Sequence, residues 1–174
     1  FHFPELGRLL PAGLARPGGQ GAGKRRRAAF RPGAQAHKAL HPPFENCSRS
    51  PDYIESYGPD FRENGGQYTH GAVWLAIACL RRGMTETGRE ILEALLPENH
   101  DLSRYMAEPF VLPADVYSTA GHGGEAGWTW YTGSAGWYFR AVSEDLLGLK
   151  LKNGRLSVEP VLKDYTAYWT DPSG

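Results

Sequence analysis

The stretch from Ala72 to Pro97, AVWLAIACLRRGMTETGREILEALLP, constrains the fold of this chain more than any other. Val73, Ile77 and Leu80 recur at the spacing of one helical face. The run closes on two arginines and Gly83, a favourable helix C-terminus. Thr85 is placed to cap a second helix with Ile91, Leu92, Leu95 and Leu96 on its inner face, and Pro97 stops it. So short a link makes the two helices antiparallel neighbours. Helices are therefore predicted at about 69–82 and 86–96, and a third at about 134–147 through AGWYFRAVSEDLLGL. After Gly148 the period changes to two. LKLKNGRLSVEP carries Asn153-Gly154 between alternating runs, the strongest short hairpin signal. The residues alone thus describe a mainly α domain that ends in a small β element.

At 174 residues the chain is long enough for one domain or for part of a larger one, and five tryptophans can furnish a core. Charge is unevenly spread. Residues 1–50 carry nine Lys/Arg against two Asp/Glu, and residues 51–174 carry ten against seventeen. The acidic part has no basic stripe, which argues against nucleic acid as its partner. Cys47 and Cys79 stand in no metal or redox spacing, as in a reducing compartment, and no metal site is expected. No apolar run reaches the length of a membrane span. The first segment, residues 1–43, is rich in Gly, Pro, Ala and Arg and has neither period. It reads as a disordered or aberrant stretch, a composition that a GC-rich gene read out of frame also yields. Its GKRRR run reads either as a basic tag for phosphate or acidic lipid, or as a solvated tail. Its start, FHFPELGRLL, has neither the charged n-region nor the apolar core of a signal peptide.

Two runs fit no ordinary core element. RENGGQYTHG, Arg62 to Gly71, and GWTWYTGSAGW, Gly127 to Trp137, both mix glycine with hydroxyls and aromatics. The second leads into the third helix. A helix N-terminus has unpaired N–H groups and partial positive charge, so it receives anions. Thr132 offers a hydroxyl there, and Gly133 lets the backbone approach a ligand. Each feature also has a plain structural explanation. Thr132 or Ser134 can be a helix cap. His70 can be a hydrogen-bonded core imidazole, and Arg62 and Glu63 an ion pair. Trp128 and Trp130 can be core, although aromatic faces beside hydroxyls and carboxylates also suit sugar rings.

Taken together, YIESYGPDFRENGGQYTHGAVW, EPFVLPADVYS and GWTWYTGSAGWYFRAVSEDLLGL resemble the C-terminal part of glycoside hydrolase family 94, the inverting disaccharide and oligosaccharide phosphorylases. The likeness covers about residues 51–165, with a weaker match in HPPFENC before it. GQYTHGAVW and YSTAGHGGEAGWTWYTGSAGW are more similar to the phosphorylase domain of cyclic β-1,2-glucan synthases than to cellobiose phosphorylase. The resemblance implies that residues 44–148 are the C-terminal portion of an (α/α)6 barrel and 149–174 a C-terminal β element. It also implies that His70, Thr132 and Gly133 bind phosphate, while Arg62, Glu63, Trp128 and Trp130 are expected to face sugar.

An inverting glycosidase uses one carboxylic acid to protonate the leaving oxygen and a second carboxylate to activate water. A phosphorylase can dispense with the second, because inorganic phosphate is already an anionic nucleophile. The resemblance places the general-acid aspartate upstream of the histidine motif. None of Asp60, Glu63, Glu108, Asp115 and Glu125 matches it, so no catalytic residue is expected in this chain, which reads as a fragment. The expected partners are a β-glucan oligosaccharide and phosphate, the latter as co-substrate with no other cofactor. Neither nucleic acid nor membrane is expected to be contacted. The expected compartment is the cytoplasm, a full-length glucan synthase relative being anchored in the inner membrane. Two alternatives stand beside the enzyme fragment: a non-catalytic carbohydrate-binding remnant, and a water-using (α/α)6 glycosidase.

Overall fold

The computed structural model describes Lys38, Leu40 and residues 42–162. Most of the segment 1–43, and residues 163–174 of the C-terminal element, lie outside the described residues. Lys38 Nζ donates to Asp60 Oδ1 at 2.7 Å. Among the described residues, helices dominate, with two small antiparallel sheets beside them.

The predicted helix pair forms. Helix α1 spans Thr69–Arg81 and α2 spans Thr85–Ala94. Between them Gly83 adopts φ 78°, its N–H reaches Leu80 O at 3.1 Å, and Met84 N–H reaches Cys79 O at 2.9 Å. These two bonds make a Schellman stop, and it reverses the chain within three residues. Thr85 does not cap α2. Met84 occupies the cap position, with its carbonyl accepting from Gly88 N–H, so the helix starts one residue earlier than the threonine suggested. Gly88 lets α2 lie close on α1, since a Cβ there would meet Leu80 Cγ at 2.7 Å. Val73, Ile77, Leu80, Ile91, Leu92, Leu95 and Leu96 are all buried, as their spacing predicted.

A short helix α3, Leu102–Tyr105, is capped by Asp101, whose side chain accepts from Ser103 N–H at 3.0 Å. Helix α4 covers Thr132–Arg140 and widens into a π-helical segment, Ala141–Leu146. The sequence predicted one helix here. In the wider segment Leu147 N–H bonds Val142 O, five residues back, which keeps both residues in the core, and Asp145 ion-pairs with Arg81 of α1 at 2.7 Å. Tyr138 is fully buried, and its hydroxyl donates to Leu92 O of α2. No helix among the described residues is long and apolar enough to cross a membrane.

Strand period did not announce the first sheet. Strands β1 (Gln67–Tyr68), β2 (Asp115–Val116) and β3 (Ala126–Gly127) pair antiparallel in that order. The backbone bonding extends past the strands. Thr69 N–H bonds Ala114 O, Ala114 N–H bonds Gly127 O, and Tyr131 N–H bonds Leu112 O. The segment 112–116 thus lies between the two unusual runs and ties the start of α1 to the approach to α4. The second sheet is the predicted hairpin, β4 (Leu149–Lys152) with β5 (Arg155–Val158). Asn153 and Gly154 at φ 53° and 73° supply the two left-handed residues of a type I′ turn.

Candidate functional site

His70 is the second residue of α1, and Thr132 and Gly133 are the first two of α4. The central segment brings these helix starts together. His70 Cε1 lies 3.3 Å from the point that a Cβ on Gly133 would occupy. Neither helix has a side-chain cap: the cap positions are Tyr68 and Tyr131, and neither tyrosine caps through its hydroxyl. Ser134 Oγ donates to Tyr131 O, and Thr132 is an exposed first-turn residue, so neither is the cap that its type suggested. Helical geometry leaves the first N–H groups of α4 without intrahelical partners.

His70 is half-buried, and its ring nitrogens have no hydrogen-bond partner among the described residues. Aromatic rings orient it instead. Trp74 lies 5.0 Å away and Tyr131 6.0 Å away, both edge-on, and Tyr68 lies 6.3 Å away. Loss of solvent around it lowers the imidazole pKa, which favours the neutral ring and a single N–H donor. Tyr68 and Tyr131, which the motifs did not single out, join their hydroxyls at 3.1 Å. Burial foremost, together with that hydrogen bond, raises the Tyr68 pKa well above its ordinary value. A signal for the pair was present: each tyrosine directly precedes the threonine that opens its helix, in QYTHG and WYTGS.

The second group of predicted residues centres on Arg62, which is buried and left-handed at φ 48°. Its guanidinium lies 4.1 Å over the Trp128 ring and 5.3 Å over Tyr57. Glu63 stands 3.8 Å from Arg62 Nε, a loose ion pair, and Nε and Nη1 have no hydrogen-bond partner among the described residues. Trp128 is 67% exposed, so its indole has open surface besides the part that Arg62 covers. Trp130 is also exposed but keeps different company. Its Nε1 donates to Glu108 Oε1 at 2.9 Å, and its ring meets Phe110 edge-on. Neither tryptophan is core.

Asp115 joins the groups. Its Cα partners in the sheet are Tyr68 and Gly127, and its Oδ2 accepts the Arg62 backbone N–H at 2.6 Å. It is fully buried, with Oδ1 unpartnered among the described residues. Burial pushes its carboxyl up to about 6, against the pull of the Arg62 N–H and guanidinium.

Comparison with known proteins matches residues 34–148 to the catalytic domain of the glycosyl hydrolase 94 superfamily. The chain belongs to that family. Among relatives, cyclic beta-(1,2)-glucan synthase NdvB of Rhizobium meliloti (strain 1021) is 43% identical over 126 residues, covering 70% of this chain and 4% of that protein. Solabiose phosphorylase of Paenibacillus borealis is 26% identical over 128 residues, 72% of this chain and 17% of the relative. N,N'-diacetylchitobiose phosphorylase of Vibrio proteolyticus is 26% identical over 128 residues, 70% and 16% of the two chains. This glycosyl hydrolase 94 chain therefore spans a small part of the length of the relatives it matches. The matched region holds both helix starts and the segment 112–116 between them.

Proposed function

We propose that this chain forms the phosphate-holding part of a glycoside phosphorylase acting on β-linked glucans. The observation that carries this reading is the contact of His70 with Gly133 at two adjoining, uncapped helix starts. A phosphate oxygen attacks the anomeric carbon from the face opposite the leaving sugar. The glycosidic C–O bond breaks, a general acid protonates the departing oxygen, and a sugar 1-phosphate of inverted configuration leaves. Here the protein's part is to hold the nucleophile in line and to match its charge with fixed donors. The His70 N–H, the Thr132 hydroxyl and the Gly133 backbone N–H are the donors assigned to phosphate. Arg62, Glu63, Trp128 and Trp130 are assigned to the glucan, and no general acid is assigned among the described residues. The partners named in the relatives, a β-1,2-glucan and disaccharides handled by phosphorylases, support carbohydrate and phosphate as ligands. The same proposal places the reaction in the cytoplasm, with phosphate as the only co-substrate.

Calorimetric titration of the full chain with inorganic phosphate, and separately with a linear β-1,2-gluco-oligosaccharide, tests this. His70→Ala should weaken phosphate binding about tenfold or more, the worth of one well-placed donor, and leave sugar binding within about twofold. Equal phosphate affinity in both proteins would overturn the assignment. A purely carbohydrate-binding role has one observation in its favour, the exposure of Trp128 and Trp130. It requires sugar binding with no phosphate binding at all.

A further inference from the structure

Arg62 poses a question that its ion pair does not answer. A guanidinium so well buried, with two nitrogens unpartnered among the described residues, has lost water without gaining hydrogen-bond acceptors from them. The backbone beneath it is held just as specifically. Arg62 occupies the left-handed region, which costs a non-glycine residue of the order of 1 kcal/mol. The chain then folds back so closely that a Cβ on Gly66 would lie 2.9 Å from Arg62 N and O. The side chain that fixes this turn comes from 53 residues away: Asp115 Oδ2, on the Arg62 N–H. On the other side of Asp115, Gly127 leaves room where a Cβ would strike Oδ1 at 2.5 Å, and Trp128 follows at φ 52°. One carboxylate therefore abuts the turn that aims the guanidinium and the strand that presents the indole.

We propose that Asp115 is the positioning residue of the sugar-facing half of the site: by holding the Arg62 turn against strand β3, it seats the guanidinium on Trp128 and so builds a platform for one pyranose ring. The proposal rests on the phosphorylase reading for its choice of ligand. Arg62 covers part of the indole, and the exposed remainder offers an aromatic face to the apolar C–H side of a sugar. Arg62 Nε and Nη1 are themselves closed to solvent, so the guanidinium serves the sugar by bracing the indole rather than through these two donors. Asp115 does not touch the sugar and acts through Arg62. The requirement is for an acceptor at Oδ2, which an asparagine carbonyl also supplies.

The test titrates the full chain with a linear β-1,2-gluco-oligosaccharide and, separately, with inorganic phosphate, in wild type, Asp115→Ala, Asp115→Asn and Arg62→Gly. Asp115→Ala should weaken oligosaccharide binding about tenfold or more and leave phosphate binding within about twofold, and Asp115→Asn should restore most of the loss. Arg62→Gly keeps the backbone N–H and relieves the left-handed turn, so it folds even where Asp115→Ala does not. It should lose oligosaccharide to the same degree, and the double variant should bind no worse than either single one. Wild-type oligosaccharide affinity in folded Asp115→Ala or in Arg62→Gly would overturn the positioning role. So would a parallel loss of both ligands, or failure of Asp115→Asn to recover. If the wild-type chain binds oligosaccharide and Asp115→Ala does not, while phosphate is ignored by both, the positioning role stands and the phosphate assignment falls.

Discussion

His70 and Gly133 touch across 63 residues of sequence: the imidazole Cε1 sits 3.3 Å from the position of a Cβ that glycine does not have. A methyl group there would force the ring to yield by a few tenths of an ångström. Gly133 lies inside the first turn of α4 at ordinary helical φ, so alanine suits the backbone and should stabilise the helix by up to about 1 kcal/mol. Gly133→Ala should therefore leave the urea midpoint equal or higher while weakening phosphate binding severalfold. Gly136→Ala, one turn on with nothing within 4 Å of the added methyl, should show the same stabilisation with phosphate binding unchanged. Equal phosphate binding in the two variants would show that the ring has slack.

The hydroxyl pair of Tyr68 and Tyr131 joins the two cap positions directly. Tyr68→Phe and Tyr131→Phe each remove that bond and nothing else of size. Each should lower stability by about 1 kcal/mol in chemical denaturation, and the double variant should cost less than the sum of the two. Strict additivity would mean that the hydroxyls act separately.

Much of this was legible in the chain. Val73, Ile77 and Leu80 marked the core face of α1, and Asn153-Gly154 marked the hairpin, because helical period and turn chemistry are local properties. The first sheet was not legible, since two-residue strands have no period to read, and their pairing depends on contacts between residues far apart in sequence. Threonine misled at both helix starts for a related reason. Thr85 and Thr132 are ordinary capping types, but at the first a Schellman turn and at the second a tyrosine hydrogen-bonded to the central segment fix the boundary one residue earlier. Asp115 appeared in the sequence only as one acid among five. Its weight comes from burial and from a partner 53 residues away, neither of which its neighbours in sequence encode.

Gly127 should tolerate no side chain. Its φ is not in the left-handed region, so the objection to alanine is one of space alone: the added carbon would lie 2.5 Å from both Asp115 Oδ1 and Tyr117 Oη. Overpacking of this kind costs about 1–3 kcal/mol. Gly127→Ala should lower the denaturation midpoint accordingly, and a neutral result would mean that the sheet can open at β3.

The pH dependence of stability should carry the mark of Asp115. Its carboxyl is pushed up to about 6 by burial, with the Glu63 charge adding to the rise and Arg62 opposing it through its N–H and its guanidinium. In the unfolded chain the same group titrates near 4. Between those values the folded protein binds a proton that the unfolded chain does not, so stability falls as pH rises through the window. The cost of the buried charge is therefore fully present above about pH 6 and relieved as pH falls toward 4. Tyr117, whose own pKa is raised by burial and then by Asp115, stays neutral throughout this range and does not compensate. His70 and His100 have lowered pKa values and pull the other way, and in a comparison with Asp115→Asn their contributions cancel. Wild type minus Asp115→Asn, measured by chemical denaturation, should thus be more favourable to wild type at pH 4.5 than at pH 7.5. A difference independent of pH would mean that the carboxylate stays ionised across the window, held by Arg62 more firmly than its burial allows.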